Sequence, residues 1–118
     1  MKGVLNEKSY AFALRIVKLQ KYLIAEQKEF VLSKQILRSG TAIGALVREA
    51  EFGQSKADFI HKLSIALKEA NETKYWLMLL KDSGYITPKM YDTLIPDVDE
   101  LLRLLISSVK TAKKNRQS

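Results

Sequence analysis

A chain of 118 residues with 47% hydrophobic content is long enough for one domain with a real core, and too apolar for disorder beyond its ends. It has no cysteine, which excludes disulfide frameworks, thiolate metal sites and cysteine nucleophiles; no apolar run approaches a membrane span, and MKGVLNEKSY lacks the apolar centre of a secretory signal, so a cytoplasmic protein is expected. The formal charge is +7, from 20 basic and 13 acidic residues, and favours polyanionic partners such as nucleic acid unless it is simply a basic, well-solvated surface.

The first helix is read from about Asn6, a candidate N-cap, to Glu26. Phe12, Ile16, Leu19 and Leu23 recur at helical spacing and mark a core stripe. Tyr10, Ala13, Val17 and Ile24 form a second stripe about 120° away. One stripe suffices for a simple bundle, so the second points to another interface, such as one with a second subunit. Lys8, Arg15, Lys18 and Lys21 share the remaining sector.

The second helix is expected from about Phe30 to Phe52, with Leu32, Ile36, Ser39, Ile43, Val47 and Ala50 facing the core. Its opposite face carries Lys34, Arg38, Ala42, Ala45, Arg48 and Glu49. Gly40 and Gly44 lie four apart and so stack on one face. Glycine inside a helix costs roughly 1 kcal/mol relative to alanine, and with Ser39 this pair reads as a site of close helix packing. Gly53 closes the helix, and Ser55 with Asp58 three residues later opens the next as a capping pair.

The third helix is long, about Lys56 to Ser83, with Phe59, Leu63, Ala66, Ala70 and Leu77 in its stripe and Gly84 as its stop. Thr87 caps the fourth, and Pro88 takes its first position. Pro96 predicts a kink or break there. The pattern resumes with Val98, Leu101, Leu102, Leu105, Ile106 and Val109, and residues 110–118 are expected as a flexible basic tail carrying Lys110, Lys113, Lys114 and Arg116. Short connections between helices two and three, and three and four, imply antiparallel neighbours. The fold class is all-α: one domain over residues 1–118, an antiparallel up-down four-helix bundle.

No constellation for catalysis emerges. His61 is the only histidine, and helical-bundle metal sites need several ligands, so neither a metal nor another cofactor is expected. Asp97, Asp99 and Glu100 follow Pro96, where negative charge suits a helix start. The Gly40–Gly44 pair is flanked by Arg38, Arg48 and Glu49, which suits packing in water and not a membrane. Tyr75 and Trp76 lie off the core stripe and suit a subunit interface, with base stacking as the rival reading.

The ordered set of segments LRSGTAIG (37–44), VREA (47–50), SKADFI (55–60) and IALKEA (65–70), with Glu72, Trp76 and Gly84-Tyr85-Ile86, resembles the four-helix bundle proteins also called 23S rRNA intervening-sequence proteins, over about Tyr10 to Val109. The resemblance implies small cytoplasmic bacterial proteins that assemble as homopentamers, some encoded within large-subunit ribosomal RNA genes. A related protein accompanies diversity-generating retroelements and works with RNA and a reverse transcriptase. One departure is Leu46, where many relatives carry asparagine. Arg38 and Glu49 match the family pattern but lie too far apart on one face to pair with each other, so each is expected to pair with another helix or subunit.

The function that follows is a non-catalytic oligomer associated with RNA or DNA. Lys8, Arg15, Lys18, Lys21, Lys110, Lys113, Lys114 and Arg116 are the candidate phosphate contacts, and Arg38, Ser39, Gly40, Gly44, Glu49, Glu72 and Trp76 the packing and assembly residues. The alternative is an oligomeric scaffold for a protein partner, its charge incidental.

Overall fold

The computed structural model describes residues 2–117, with side chains from Gly3 to Asn115. Four helices follow one another: α1 (Lys2–Ala25), α2 (Leu32–Glu51), α3 (Lys56–Asp82) and α4 (Pro88–Gln117). No strand occurs among the described residues. Each helix packs on its chain neighbour, and a shorter seam between α1 and α4 closes the ring. The result is an antiparallel bundle of 51 × 21 × 21 Å.

The core is built from the four stripes. Phe12, Ile16, Leu19 and Leu23 of α1 meet Ile36, Ile43, Val47 and Ala50 of α2. Leu63, Ala66, Ala70, Leu77 and Leu80 of α3 and Leu94, Val98, Leu101 and Leu105 of α4 complete it. A fully buried Leu, Ile or Phe contributes roughly 1.5–3 kcal/mol, so these rows outweigh the roughly 1 kcal/mol that each helical glycine costs.

Burial also explains where boundaries move. Leu5 and Ser9 continue the α1 stripe toward the N-terminus and are fully buried, so the helix begins before Asn6. Asn6 is therefore not an N-cap: it lies inside α1, and its amide donates to Glu51 Oε2 at 2.6 Å. At the start of α2 the chain reverses through Lys28, at φ 52°. The buried Glu29 carboxylate then accepts from the Ser33 N–H at 2.8 Å and the Val31 N–H at 3.3 Å. Those bonds satisfy amides that a helix N-terminus leaves open, and they set the start of α2 at Leu32 instead of Phe30.

The α3–α4 turn follows its sequence signals closely. Gly84 adopts φ 83°, Tyr85 N–H donates to Leu80 O at 2.9 Å, and Gly84 N–H donates to Lys81 O at 3.1 Å. This is a Schellman stop. The Thr87 hydroxyl then accepts the Met90 N–H at 3.1 Å, with Pro88 opening α4. Ser55 caps α3 by accepting the Asp58 N–H at 3.1 Å. Gly53 serves differently from a left-handed cap. A Cβ there would lie 3.1 Å from the Ala50 carbonyl oxygen, so a side chain would crowd the backbone at the end of α2.

Pro96 does not break α4, which runs through it as one helix. Leu94, Val98, Leu101 and Leu105 form one buried row across the proline, and interrupting the helix would pull that row apart. Pro96 and Asp92 are both exposed, and the proline leaves the Asp92 carbonyl without its usual helical donor. Residues 110–117 continue α4 and do not leave it as a separate segment.

Candidate functional site

The small-residue face of α2 packs on α1. A Cβ at Gly40 would lie 2.8 and 2.9 Å from the two γ-carbons of the fully buried Ile16, and one at Gly44 would lie 3.3 Å from the Ser9 carbonyl oxygen. Ser39, on the α3 side, is buried with its hydroxyl 3.0 Å from that of Thr73, which also donates to Glu69 O at 2.8 Å. Thr73 fills the gap between Ala70 and Leu77 in the α3 stripe, a position the apolar pattern passes over.

The polar face of α2 pairs with α3. The Arg38 guanidinium donates to Glu69 Oε1 at 3.1 Å and to Glu72 Oε2. The Trp76 indole donates to the same Glu72 oxygen at 2.9 Å, and Tyr75 meets Trp76 edge-on with ring centroids 5.1 Å apart. Lys62 donates to Glu49 Oε1 at 3.0 Å. That hydrogen bond raises the Lys62 pKa above the ordinary lysine value, aided by the charges of Glu49 and Asp58 and opposed by desolvation. Its contribution is thus complete at neutral pH and fades only as strongly alkaline pH removes the proton. Arg38 and Glu49 therefore have partners within the chain.

The cations separate into two groups. On α1, Lys8 pairs with Glu100 at 3.2 Å and Arg15 with Asp97 at 2.6 Å, both across the α1–α4 seam. These two thus form helix-to-helix bridges, while Lys18 and Lys21 are exposed and make no ion pair among the described residues. On α4, no carboxylate follows Glu100 in the sequence. Arg103, Lys110 and Lys114 fall on the outward side of the helix, Lys113 beside them, and all four are exposed. Their rise along the axis is about 10 Å from Arg103 to Lys110 and about 6 Å from Lys110 to Lys114. None makes an ion pair among the described residues. Arg116 lies outside the described side chains. Arg103 precedes the basic tail of residues 110–118 and so lies outside that cluster in the sequence. The missing carboxylates after Glu100 were the signal for it.

A groove of about 550 Å³ lies where the α2–α3 turn meets the last turns of α4, lined by Ser55, Phe59, Ser107, Thr111 and Ala112 among others. Phe52 stands beside it, 80% exposed. Among the described residues, no three His, Cys, Asp or Glu side chains are grouped to hold a metal ion. No helix among them is long and apolar enough to cross a membrane.

The family model of the 23S rRNA-intervening sequence protein matches residues 4–107, which takes in α2 and α3 whole and most of α1 and α4. The chain belongs to this family. A solved crystal structure from Bacteroides thetaiotaomicron, a protein of unknown function from the S23 ribosomal protein family, is 62% identical, with a TM-score of 0.90 over 91% of this chain and 99% of that one. No curated protein matches. The family match spans the small-residue face, the Arg38–Glu72–Trp76 cluster and Arg103, and stops short of Lys110, Lys113 and Lys114.

Proposed function

We propose that this chain is a non-catalytic, cytoplasmic, homo-oligomeric bundle that contacts the phosphates of structured RNA through the outer face of α4. The observation that carries the reading is the row Arg103, Lys110 and Lys114, exposed and without a carboxylate partner among the described residues. Lys113 extends the field, Lys18 lies toward the other end of α4, beside Met90 and Thr93, and Lys8 and Arg15 spend their charge on Glu100 and Asp97. Cations left unpaired can exchange water and counterions for phosphate at little cost, and the binding that results is salt-sensitive and weakly sequence-selective.

Self-association is supported by large apolar side chains left on two outer faces, Tyr10 and Leu14 on α1 and Tyr75 and Met78 on α3. Such side chains suit the core of an interface. Five copies is the number that the family resemblance implies. In a ring, weak phosphate contacts repeat and reinforce one another. The second reading, a scaffold for a protein partner, draws on the exposed Phe52 beside the 550 Å³ groove.

Gel shifts at low salt with a structured RNA and with duplex DNA, on protein whose mass is fixed by light scattering, test the proposal. The wild type is expected to shift the RNA. A variant with Arg103, Lys110 and Lys114 all changed to Glu is expected to bind at least about tenfold more weakly, and its salt slope to fall by roughly 3 per chain. No shift of either nucleic acid by the wild type would sink the RNA reading and leave the scaffold. A scattering mass of one chain would remove the oligomer.

A further inference from the structure

Three of the four seams of the bundle are extensive, and the fourth, between α1 and α4, is short. Two half-exposed ion pairs bridge it, Lys8–Glu100 and Arg15–Asp97. Behind Arg15 lies a groove of about 390 Å³ floored by Leu19, Tyr22, Met90 and Leu94. The other flank of α4 is held separately: Lys74 donates to Asp99 at 2.8 Å, and the Lys81 ammonium sits 4.4 Å from the centre of the Tyr91 ring.

Arg15 does more than pair with a carboxylate. Its Nη1 donates to Asp97 Oδ2 at 2.6 Å and to the Thr93 carbonyl oxygen at 2.8 Å. Its Nη2 donates at 3.2 Å to the Thr93 hydroxyl, which itself donates to Met90 O at 2.8 Å. These contacts flank Pro96, on Thr93 before it and Asp97 after it. Proline supplies no N–H for the Asp92 carbonyl, and its ring crowds that carbonyl. A helix that opens at such a point also loosens its hold on the next carbonyl, that of Thr93. The guanidinium fork gives that carbonyl a second donor from another helix, and a point charge on a flexible stem would not reproduce the geometry.

We propose that the α1–α4 seam is the line along which this bundle opens first, and that Arg15 is the clasp that holds it shut over the turn weakened by Pro96. Release of the clasp uncovers Leu19 and Leu94 while α4 stays seated on α3. Because the bridging pairs are partly exposed, salt screens them and favours the open form.

Native-state hydrogen exchange on the full chain tests this, comparing wild type, Arg15→Ala, Pro96→Ala and the double variant. Arg15→Ala is expected to speed exchange of the Asp97, Val98 and Asp99 amides by about tenfold, with the α2–α3 amides much less affected. In the Pro96→Ala background the same change is expected to matter about twofold or less, since the turn no longer needs its second donor. Arg15→Lys is expected to resemble Arg15→Ala. Equal acceleration in both backgrounds, or acceleration spread evenly over all four helices, would overturn the proposal. Should a variant fail to fold, wild-type exchange at low and high salt decides: faster exchange confined to the seam supports the clasp, and a uniform response refutes it.

Discussion

Gly40→Ala is expected to lower the stability of the bundle by about 1–2 kcal/mol, although alanine is the better helix former by roughly 1 kcal/mol. The reason is Ile16. A methyl at position 40 would fall 2.8 and 2.9 Å from its two γ-carbons, and Ile16 is fully buried. Gly40→Val adds two more carbons in the same place, and a loss of about 3 kcal/mol is expected. Gly44 is the internal control. Its Cβ would meet Ser9 no closer than 3.3 Å, so Gly44→Ala should change stability by less than about 1 kcal/mol, propensity and crowding nearly cancelling. Urea titrations of the four proteins give the comparison. Ile16→Ala combined with Gly40→Ala should cost less than the sum of the two single changes, because the new methyl occupies part of the vacated space. Strict additivity would mean that the two residues do not compete for it.

Thr73→Val is expected to cost about 1–3 kcal/mol, out of proportion to a change that preserves shape. The Ser39 hydroxyl is fully buried, and Thr73 is the group within reach of it at 3.0 Å. Valine strands that hydroxyl among apolar neighbours. Ser39→Ala together with Thr73→Val removes the need on both sides, and the double variant should recover much of the loss. A thermal or urea melt of the single and double variants decides: if the double is as unstable as the sum of the singles, the pair is not coupled.

What the sequence makes legible follows from where the information sits. Core stripes depend on spacing within one helix, and Phe12, Ile16, Ile43, Leu63 and Leu101 carry that spacing plainly. The stops are local as well: Ser55, Gly84, Thr87 and Pro88 each act on amides or carbonyls a few residues away. Pro96 is a local signal for a break or a kink, and a longer signal excludes the break, since the apolar row runs through it from Leu94 to Leu105. Asn6 loses to Leu5 for the same reason. The site was less legible because charge pairing depends on register between helices. Nothing near Arg15 in the sequence says that Asp97 will face it, 82 residues away. Arg38, Glu49, Glu72 and Trp76 could be singled out as a group, but the partners Glu69 and Lys62 come from the way α2 lies on α3.

The unequal seams have a kinetic consequence. Three of them join helices that follow one another in the chain, so each can form by closing one short loop. Only the α1–α4 seam demands that distant parts of the chain meet. Low contact order of this kind favours folding in about microseconds to milliseconds, with the nucleus in consecutive helix pairs. Changes at Lys8 or Arg15 should therefore show mainly in the unfolding rate, measured by stopped flow, and hardly in the folding rate.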